Sequence, residues 1–141
     1  MLKQIAYASR QSYILNDTDI MELLANCRRN NSLYQITGML VFFDGTFVQY
    51  LEGPEKNIDA LYKKISNDKR HRDIVLLIED YIENREFADW SMAFKNVTAA
   101  NIKDIEGLKD FKKEDLFKGK NPENEHPGIL LLKSFVNSLH L

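Results

Sequence analysis

The sequence predicts an α+β protein in which two helices lie on one face of a five-stranded sheet. Two observations point to this class. Runs rich in β-branched and aromatic residues alternate with two segments whose apolar residues recur at helical spacing. The dipeptide Asp44-Gly45 separates two of the β-rich runs, which is typical of a tight hairpin. The resulting order is strand, helix, strand, strand, helix, strand, with one more strand after it.

The first half of this order is predicted as follows. Residues 2–9 form a strand, because Leu, Ile, Tyr and Ala there carry little charge. A helix begins at about residue 20 and ends near Asn30 and Asn31, with apolar residues at i, i+3, i+4 and i+7 and polar N-cap candidates just upstream. The next two strands, residues 36–43 and 46–51, flank Asp44-Gly45, whose residues readily adopt the positive φ angles of a hairpin turn.

The second half begins at Gly53-Pro54, where proline suits the first helical position because its missing N–H costs nothing there. This helix continues to about residue 68. Apolar runs at residues 73–81 and 90–97 predict the fourth and fifth strands. The order β-α-β-β-α-β followed by another strand is the ferredoxin-like pattern, in which both helices cover one face of the sheet.

The chain after residue 97 is predicted to be helical. A weak helical pattern runs through residues 102–108, and a polar loop with two prolines follows. Residues 129–141 form a mostly apolar helix, which at about 1.5 Å per residue is too short to span a bilayer. We expect it to cover the bare face of the sheet; the alternative is an oligomer or partner contact. The chain thus divides into a core, residues 1–97, and a helical extension, residues 98–141.

Composition excludes several classes of function. The chain has 141 residues and 44% hydrophobic content, which suit one compact core. Nineteen Lys and Arg against 21 Asp and Glu give a net charge of -2, so no overall positive field attracts nucleic acid or a membrane. The single cysteine, Cys27, excludes an intrachain disulfide and suits a reducing cytosol. We therefore expect a cytoplasmic protein. The histidines lack metal-ligand spacing, so we expect no metal site.

Two residues are unusual for a core. In the third strand Gln49 lies between Phe47 and Leu51 on one face, where an unpaired amide costs about 1 to 3 kcal/mol. The hydroxyl of Tyr7, midway along the first strand, also needs a hydrogen-bond partner if it is buried. Gln49 therefore needs hydrogen-bond partners, although an edge position or a backbone contact would also satisfy it.

Three further residues have local explanations. Asn31 follows the first helix and could be its left-handed cap. Arg70 and His71 stand in the turn after the second helix, where basic side chains favour a helix C-terminus. These residues do not by themselves indicate a function.

Taken together, the residues resemble the BLUF family, the blue-light sensors that bind a flavin. The resemblance runs from about residue 2 to residue 97. Its motifs are Tyr7-Ala8-Ser9, Asn31 ahead of Ile36-Thr37-Gly38, Phe47-Val48-Gln49 running into Leu51-Glu52-Gly53, Asp68-Lys69-Arg70-His71, and Trp90-Ser91-Met92.

The resemblance implies a flavin, usually FAD, held between the two helices beneath the sheet, with FMN or riboflavin as alternatives. It implies that Tyr7 donates an electron and a proton to the photoexcited flavin, and that Gln49 bridges the Tyr7 hydroxyl and the flavin edge. Asn31 would bond the pyrimidine edge of the ring, and Arg70 and His71 would lie near it. A glutamine amide suits a bridge because it is both donor and acceptor.

The resemblance also implies how the signal leaves the site. Trp90 and Met92 would relay it through the fifth strand. The 44 residues after residue 97 are too few for an output enzyme, so we expect a photosensory protein that is not an enzyme. Short members of the family act through homo-oligomers and downstream signalling proteins. Arg28 and Arg29 are candidates for binding a flavin phosphate.

Two other classes of protein have this order of strands and helices, an RNA-binding module and a small hydrolase. Phe47-Val48-Gln49-Tyr50 matches the end of an RNA-recognition motif, whose aromatics stack on bases, but its start fails and the net charge opposes it. A small acyl-phosphate hydrolase would need a glycine-rich anion loop, and the glycines are scattered singly. We expect neither activity.

Overall fold

The computed structural model describes residues 1–86, 92–97, 108, 112–117 and 126–139, and it contains the predicted order of elements. The elements are β1 (Leu2–Gln11), α1 (Asp17–Leu33), β2 (Thr37–Phe43), β3 (Thr46–Pro54), α2 (Glu55–Ser66), β4 (His71–Ile82), β5 (Ala93–Asn96), a 3-10 helix (Lys113–Phe117) and α3 (Pro127–Leu139). The α+β class is confirmed.

The five strands form one sheet in the order β4-β1-β3-β2-β5. The pairs β1–β3, β1–β4 and β2–β3 are antiparallel, whereas β5 lies parallel to β2. The first four strands have the ferredoxin-like arrangement, and β5 extends it next to β2. The predicted sheet with a fifth strand is confirmed.

The turn between β2 and β3 has the predicted geometry. Asp44 has φ 44° and Gly45 has φ 77°, the two positive values that a tight hairpin with the right twist requires. A second glycine, Gly38, is needed for a different reason. A Cβ atom there would lie 2.0 Å from the backbone oxygen of Tyr50, so only glycine lets β2 approach β3 at this point.

The helices begin where polar side chains or backbone geometry allow. Asn16 caps α1: its Oδ1 accepts from the Asp19 backbone N at 2.8 Å, and Asp19 Oδ2 accepts from the Asn16 N at 3.0 Å. The prediction that Pro54 is the first helical residue of α2 is wrong. Pro54 has φ -56° and ψ 135°, because it still pairs with Leu2 in the sheet, and α2 begins at Glu55.

Two hydrophobic cores lie on opposite faces of the sheet. Successive side chains along each strand lie on opposite faces of the sheet. The face toward α1 and α2 includes Ile5, Phe47 and Leu51 packed with Ile20, Leu24 and Ile58. The other face includes Ala6, Val48 and Tyr50 packed with Leu131, Leu132 and Phe135 of α3. The prediction that the last helix covers the second face is confirmed.

A buried carboxylate ties the segment after β4 to the sheet. Glu52, in β3, is fully buried and accepts hydrogen bonds from Thr37 Oγ1 (3.0 Å) and the backbone N of Glu86 (2.9 Å), and its Oε2 lies 3.2 Å from the Tyr50 hydroxyl. The adjacent Arg85 donates to Thr37 Oγ1 at 3.0 Å. Its other terminal nitrogen donates to the carbonyl of Gln35 at 2.5 Å. The chain leaving β4 is therefore fixed against β2 and β3.

Some predicted features lie outside the described residues. They include Trp90 and all of the helical pattern at residues 102–108 except Leu108, which is buried in the α3 core. Among the helices that the structure describes, none has the length and apolar character that crossing a membrane requires.

Candidate functional site

A cavity of about 400 Å³ lies between α1, α2 and the sheet. Helix α1 contributes Leu23, Cys27 and Asn31, and α2 contributes Leu61 and Ile65. The floor is formed by β-strand residues that include Tyr7 and Gln49. Five residues that the sequence marked as a candidate site line this one cavity: Tyr7, Asn31, Gln49, Arg70 and His71.

Tyr7 and Gln49 are hydrogen-bonded to each other at the cavity floor. They are register partners in the β1–β3 ladder, and both side chains are 4% exposed. The Tyr7 hydroxyl donates to Gln49 Oε1. Burial raises the pKa of Tyr7 well above its usual value, so the phenol keeps its proton. The neutral phenol of Tyr7 is thus the buried hydrogen-bond partner that Gln49 requires.

The other end of the Gln49 amide faces a sulfur atom. Gln49 Nε2 lies 3.6 Å from Sδ of Met92, which is 3% exposed and immediately precedes β5. A thioether is a weak acceptor, so this contact holds the amide less firmly than a carbonyl would. The Gln49 amide is therefore fixed strongly at its oxygen and weakly at its nitrogen.

Asn31 lies in the last turns of α1 and is 3% exposed. The alternative that it forms a left-handed cap is wrong, because α1 continues to Leu33 and the residue with positive φ is Gln35, at 57°. Asn31 continues the buried stripe formed by Ile20 and Leu24. The helix thus places a polar amide where an apolar side chain is the norm, and this amide lines the cavity.

Arg70 and Asp68 form an ion pair in the cavity wall. Arg70 Nη2 lies 2.6 Å from Asp68 Oδ2, and Arg70 Nε donates to both carboxylate oxygens at 3.0 Å. The hydrogen bonds from Arg70 lower the pKa of Asp68, and those bonds in turn raise the pKa of Arg70. The charge of Arg70 is therefore largely balanced by a neighbouring carboxylate.

His71 lines the cavity, and both of its ring nitrogens have protein partners. Nε2 lies 2.6 Å from the carbonyl oxygen of Ile65, which can only accept, so Nε2 carries a hydrogen. Nδ1 lies 2.9 Å from Ser9 Oγ and accepts from this hydroxyl when the ring is neutral. The His71 ring meets the Tyr7 ring at a centroid distance of 6.2 Å. His71 thus joins β4 to α2 beside Tyr7.

A family model described as "Sensors of blue-light using FAD" (BLUF) matches residues 2–93, more than half of the chain. The chain belongs to the BLUF family. It is therefore a flavin-binding blue-light photoreceptor, as the resemblance of its motifs implied.

Curated BLUF relatives are much longer than this chain. The photoactivated adenylate cyclase subunit beta of Euglena longa is 34% identical over 92 residues, which are 64% of this chain and 11% of that protein. The blue light- and temperature-regulated antirepressor BluF of Escherichia coli (strain K12) is 35% identical over 95 residues, 65% of this chain and 23% of that one. The chain spans less than a quarter of either relative.

Solved BLUF structures of similar length match almost the whole chain. The dark-state structure of BlrB, a BLUF protein, has a TM-score of 0.76 and 30% identity, covering 97% of this chain and 96% of that one. The photo-activated state of BlsA has a TM-score of 0.76 and 27% identity, covering 96% of this chain and 95% of that one.

The BLUF cavity fits a flavin ring. Its volume lies within the usual range for sites that bind small organic ligands. An isoalloxazine ring has apolar faces and a polar edge, and the cavity offers apolar side chains from both helices and the amides of Gln49 and Asn31. Gln49 and Asn31 would hold the polar edge, and Leu23, Leu61 and Ile65 would pack on the faces.

Sequence reasoning missed several residues around the BLUF site. Ser9 and Asp68 appeared in the family motifs without a role, and the structure shows them bonded to His71 and Arg70. The phosphate candidates Arg28 and Arg29 are absent from the cavity lining, and its basic members are Lys64 and Arg70. The described residues hold no group of three or more His, Cys, Asp or Glu that could bind a metal ion.

Proposed function

We propose that light changes the hydrogen bonds between Tyr7 and Gln49, and that this change is the signal. The observation that carries the proposal is the buried chain of contacts from the Tyr7 hydroxyl through the Gln49 amide to Met92 Sδ. When bound, a flavin supplies the blue-absorbing group and, once excited, a strong oxidant.

Tyr7 is the residue that gives up an electron and a proton in this scheme. Its phenol is neutral because burial raises its pKa, so an electron removed from the ring leaves a strongly acidic hydroxyl. The proton then has a path, because the hydroxyl already donates to Gln49 Oε1. Water has little access to this bond, since both side chains are 4% exposed.

The electron and the proton then return to Tyr7, and Gln49 is the residue that keeps the changed hydrogen bonds. Rotation of its amide, or its tautomer, reverses the donor and acceptor that it presents to Tyr7. The weak contact of Nε2 with Met92 Sδ favours such a change, because little is lost when the nitrogen moves away. A new hydrogen bond at the flavin edge would shift its absorption to longer wavelength without a covalent bond.

The flavin is FAD in our proposal, with FMN or riboflavin as alternatives. The name of the family model supports FAD. Asn31 and Gln49 hold the ring, and Arg70 and His71 shape the wall beside it. Extraction of the bound flavin and its mass spectrum decide among the three forms; a cofactor that is mainly FMN or riboflavin would contradict FAD.

The output is a protein contact in our proposal, with no reaction catalysed by this chain. Residues 1–97 act as the sensor and residues 98–141 as a helical extension. Met92 and β5 carry the change outward, with Trp90 as the second relay residue. The protein acts in the cytoplasm as a homo-oligomer with a downstream signalling protein.

An absorption spectrum before and after blue light tests the photochemistry. The purified protein should be yellow, and its flavin band should move reversibly to longer wavelength. A protein that takes up no flavin, or whose flavin band never moves, would contradict the proposal. A size measurement in the dark and in the light then tests the homo-oligomer.

A further inference from the structure

Arg28 of α1 forms a contact that its position on the helix does not suggest. Its Nε donates to the backbone oxygen of Met92 at 3.1 Å, a bond between residues 64 positions apart in the chain. Arg28 follows Cys27, which lines the cavity, but does not line the cavity itself. The bond therefore joins the cavity helix to the first residue before β5.

Met92 is held at two points by this arrangement. Arg28 fixes its carbonyl oxygen, and its Sδ meets Gln49 Nε2 at 3.6 Å. The position of the Met92 backbone therefore helps to set where its sulfur lies against Gln49. The guanidinium of Arg28 thus acts on Gln49 through Met92.

In the part of the chain that the structure describes, the backbone on the C-terminal side of Met92 is held by the β2–β5 ladder, which begins at Ala93. Strand β5 has four residues, and in the described part of the chain its ladder is with β2 alone. Beyond this ladder, the Val97 backbone N donates to the Phe42 oxygen at 2.8 Å. Just after β4, Arg85 donates to the carbonyl of Gln35, and the Glu86 backbone N donates to Glu52. Arg28 supplies the matching bond at the β5 end.

We propose that Arg28 is a positioning residue that places Met92 Sδ against Gln49 and so couples α1 to β5. This rests on the proposed function, in which the Gln49 amide changes its hydrogen bonds. Loss of the bond would free the Met92 backbone, weaken the sulfur contact and alter the rate at which the light-induced arrangement returns to the dark one.

A matched pair of variants separates the hydrogen bond from the charge. In Arg28→Gln the amide nitrogen stands as many bonds from Cα as Arg Nε, so a donor remains and the charge is lost. Arg28→Met has a methyl group at that depth and no donor. Arg29→Met is the control, because Arg29 is the exposed neighbour on the same helix. Both positions are at the surface, so each of the three variants should fold.

Two measurements on the purified protein test the proposal. The first is the methyl resonance of Met92 by NMR, assigned among the four methionines of the original protein with Met92→Leu. Because each Arg→Met variant carries a fifth methionine, the same Met92→Leu change is also made in those two variants. The second is the dark recovery rate after blue light. Arg28→Met should displace the Met92 resonance and change the recovery rate about threefold or more, as expected for a lost hydrogen bond. Arg28→Gln and Arg29→Met should both stay close to the original protein.

Three results would overturn the proposal. They are an unchanged Met92 resonance in Arg28→Met, an Arg28→Gln variant that behaves like Arg28→Met, and an equal effect of Arg29→Met. Failure of the proposed function is a separate result, since a protein with no light-induced shift still shows whether the Met92 resonance depends on Arg28.

Discussion

Tyr7 and Gln49 are direct cross-strand partners, so the register of β1 on β3 fixes the hydrogen bond between them. The same two strands carry a similar bond on the opposite face, where the Tyr50 hydroxyl donates to Gln4 Oε1 at 2.9 Å. The sheet therefore contains two tyrosine–glutamine pairs, and only the first lines the cavity.

This pairing offers matched controls for the photochemistry. Tyr7→Phe and Gln49→Leu should keep the flavin and lose the reversible red shift, because each removes one partner of the bond in the cavity. Tyr50→Phe and Gln4→Leu remove the equivalent partners on the α3 face and should keep the shift. Light-minus-dark absorption spectra of the four variants check this; a normal photocycle in Tyr7→Phe or Gln49→Leu would remove the assigned role.

The buried phenol of Tyr7 makes stability depend on alkaline pH. Because burial raises its pKa, the folded state keeps the proton above about pH 10, where an unfolded tyrosine loses it. The free energy of unfolding should therefore fall with rising pH, by up to about 1.4 kcal/mol per pH unit for this residue. Tyr7→Phe should flatten the fall in urea unfolding from pH 9 upward. The exposed Tyr13 provides the control, Tyr13→Phe; equal slopes for Tyr7→Phe and the original protein would refute the claim.

Gln35 lies in a conformation that favours glycine. Its φ is 57°, its side chain is exposed, and its carbonyl accepts from Arg85. Gln35→Gly should raise the free energy of unfolding by about 0.5 to 1 kcal/mol, since relief of the backbone strain outweighs the added freedom of the unfolded chain. Gln35→Ala keeps a Cβ atom at this φ and should have little effect. Thermal unfolding decides; a destabilised Gln35→Gly variant would disprove the strain.

The buried carboxylate of Glu52 should be important for stability. Glu52→Ala leaves the Thr37 hydroxyl and the Glu86 amide without this acceptor, so unfolding should become easier by about 3 kcal/mol. The amide hydrogen of Glu86 should also exchange with solvent faster. Glu83→Ala, at an exposed position just after β4, is the control and should change stability by less than about 0.5 kcal/mol. Equal stability of the two variants would contradict the role of Glu52.

The sequence allowed most of the fold to be predicted, because its signals are local. Alternation along β3 separated Phe47 and Gln49 from Val48 and Tyr50, and the structure places them on opposite faces. Asp44-Gly45 fixed the hairpin. Local signals could not set the limits of the elements, because pairing with distant residues does so. Strand β3 extends to Pro54 because Leu2 pairs with it.

The site was predicted in part. A glutamine within an apolar strand and a family motif were enough to single out Tyr7 and Gln49, and Asn31 continues a helical stripe. The partners of these groups come from distant segments. Arg28 reaches Met92 across 64 positions, and Ser9 meets His71 across 62. No spacing in the sequence encodes such contacts, since they depend on how helices and strands pack.

The division of β3 between two faces has a consequence for engineering. Gln49 belongs to the cavity, while its chain neighbours Val48 and Tyr50 belong to the core beneath α3. Residues that line the cavity can therefore be altered on one face, and residues that pack beneath α3 on the other. Among the described residues, the two sets meet only through the peptide backbone of the sheet, which gives a designer two separate sets of positions in one small protein.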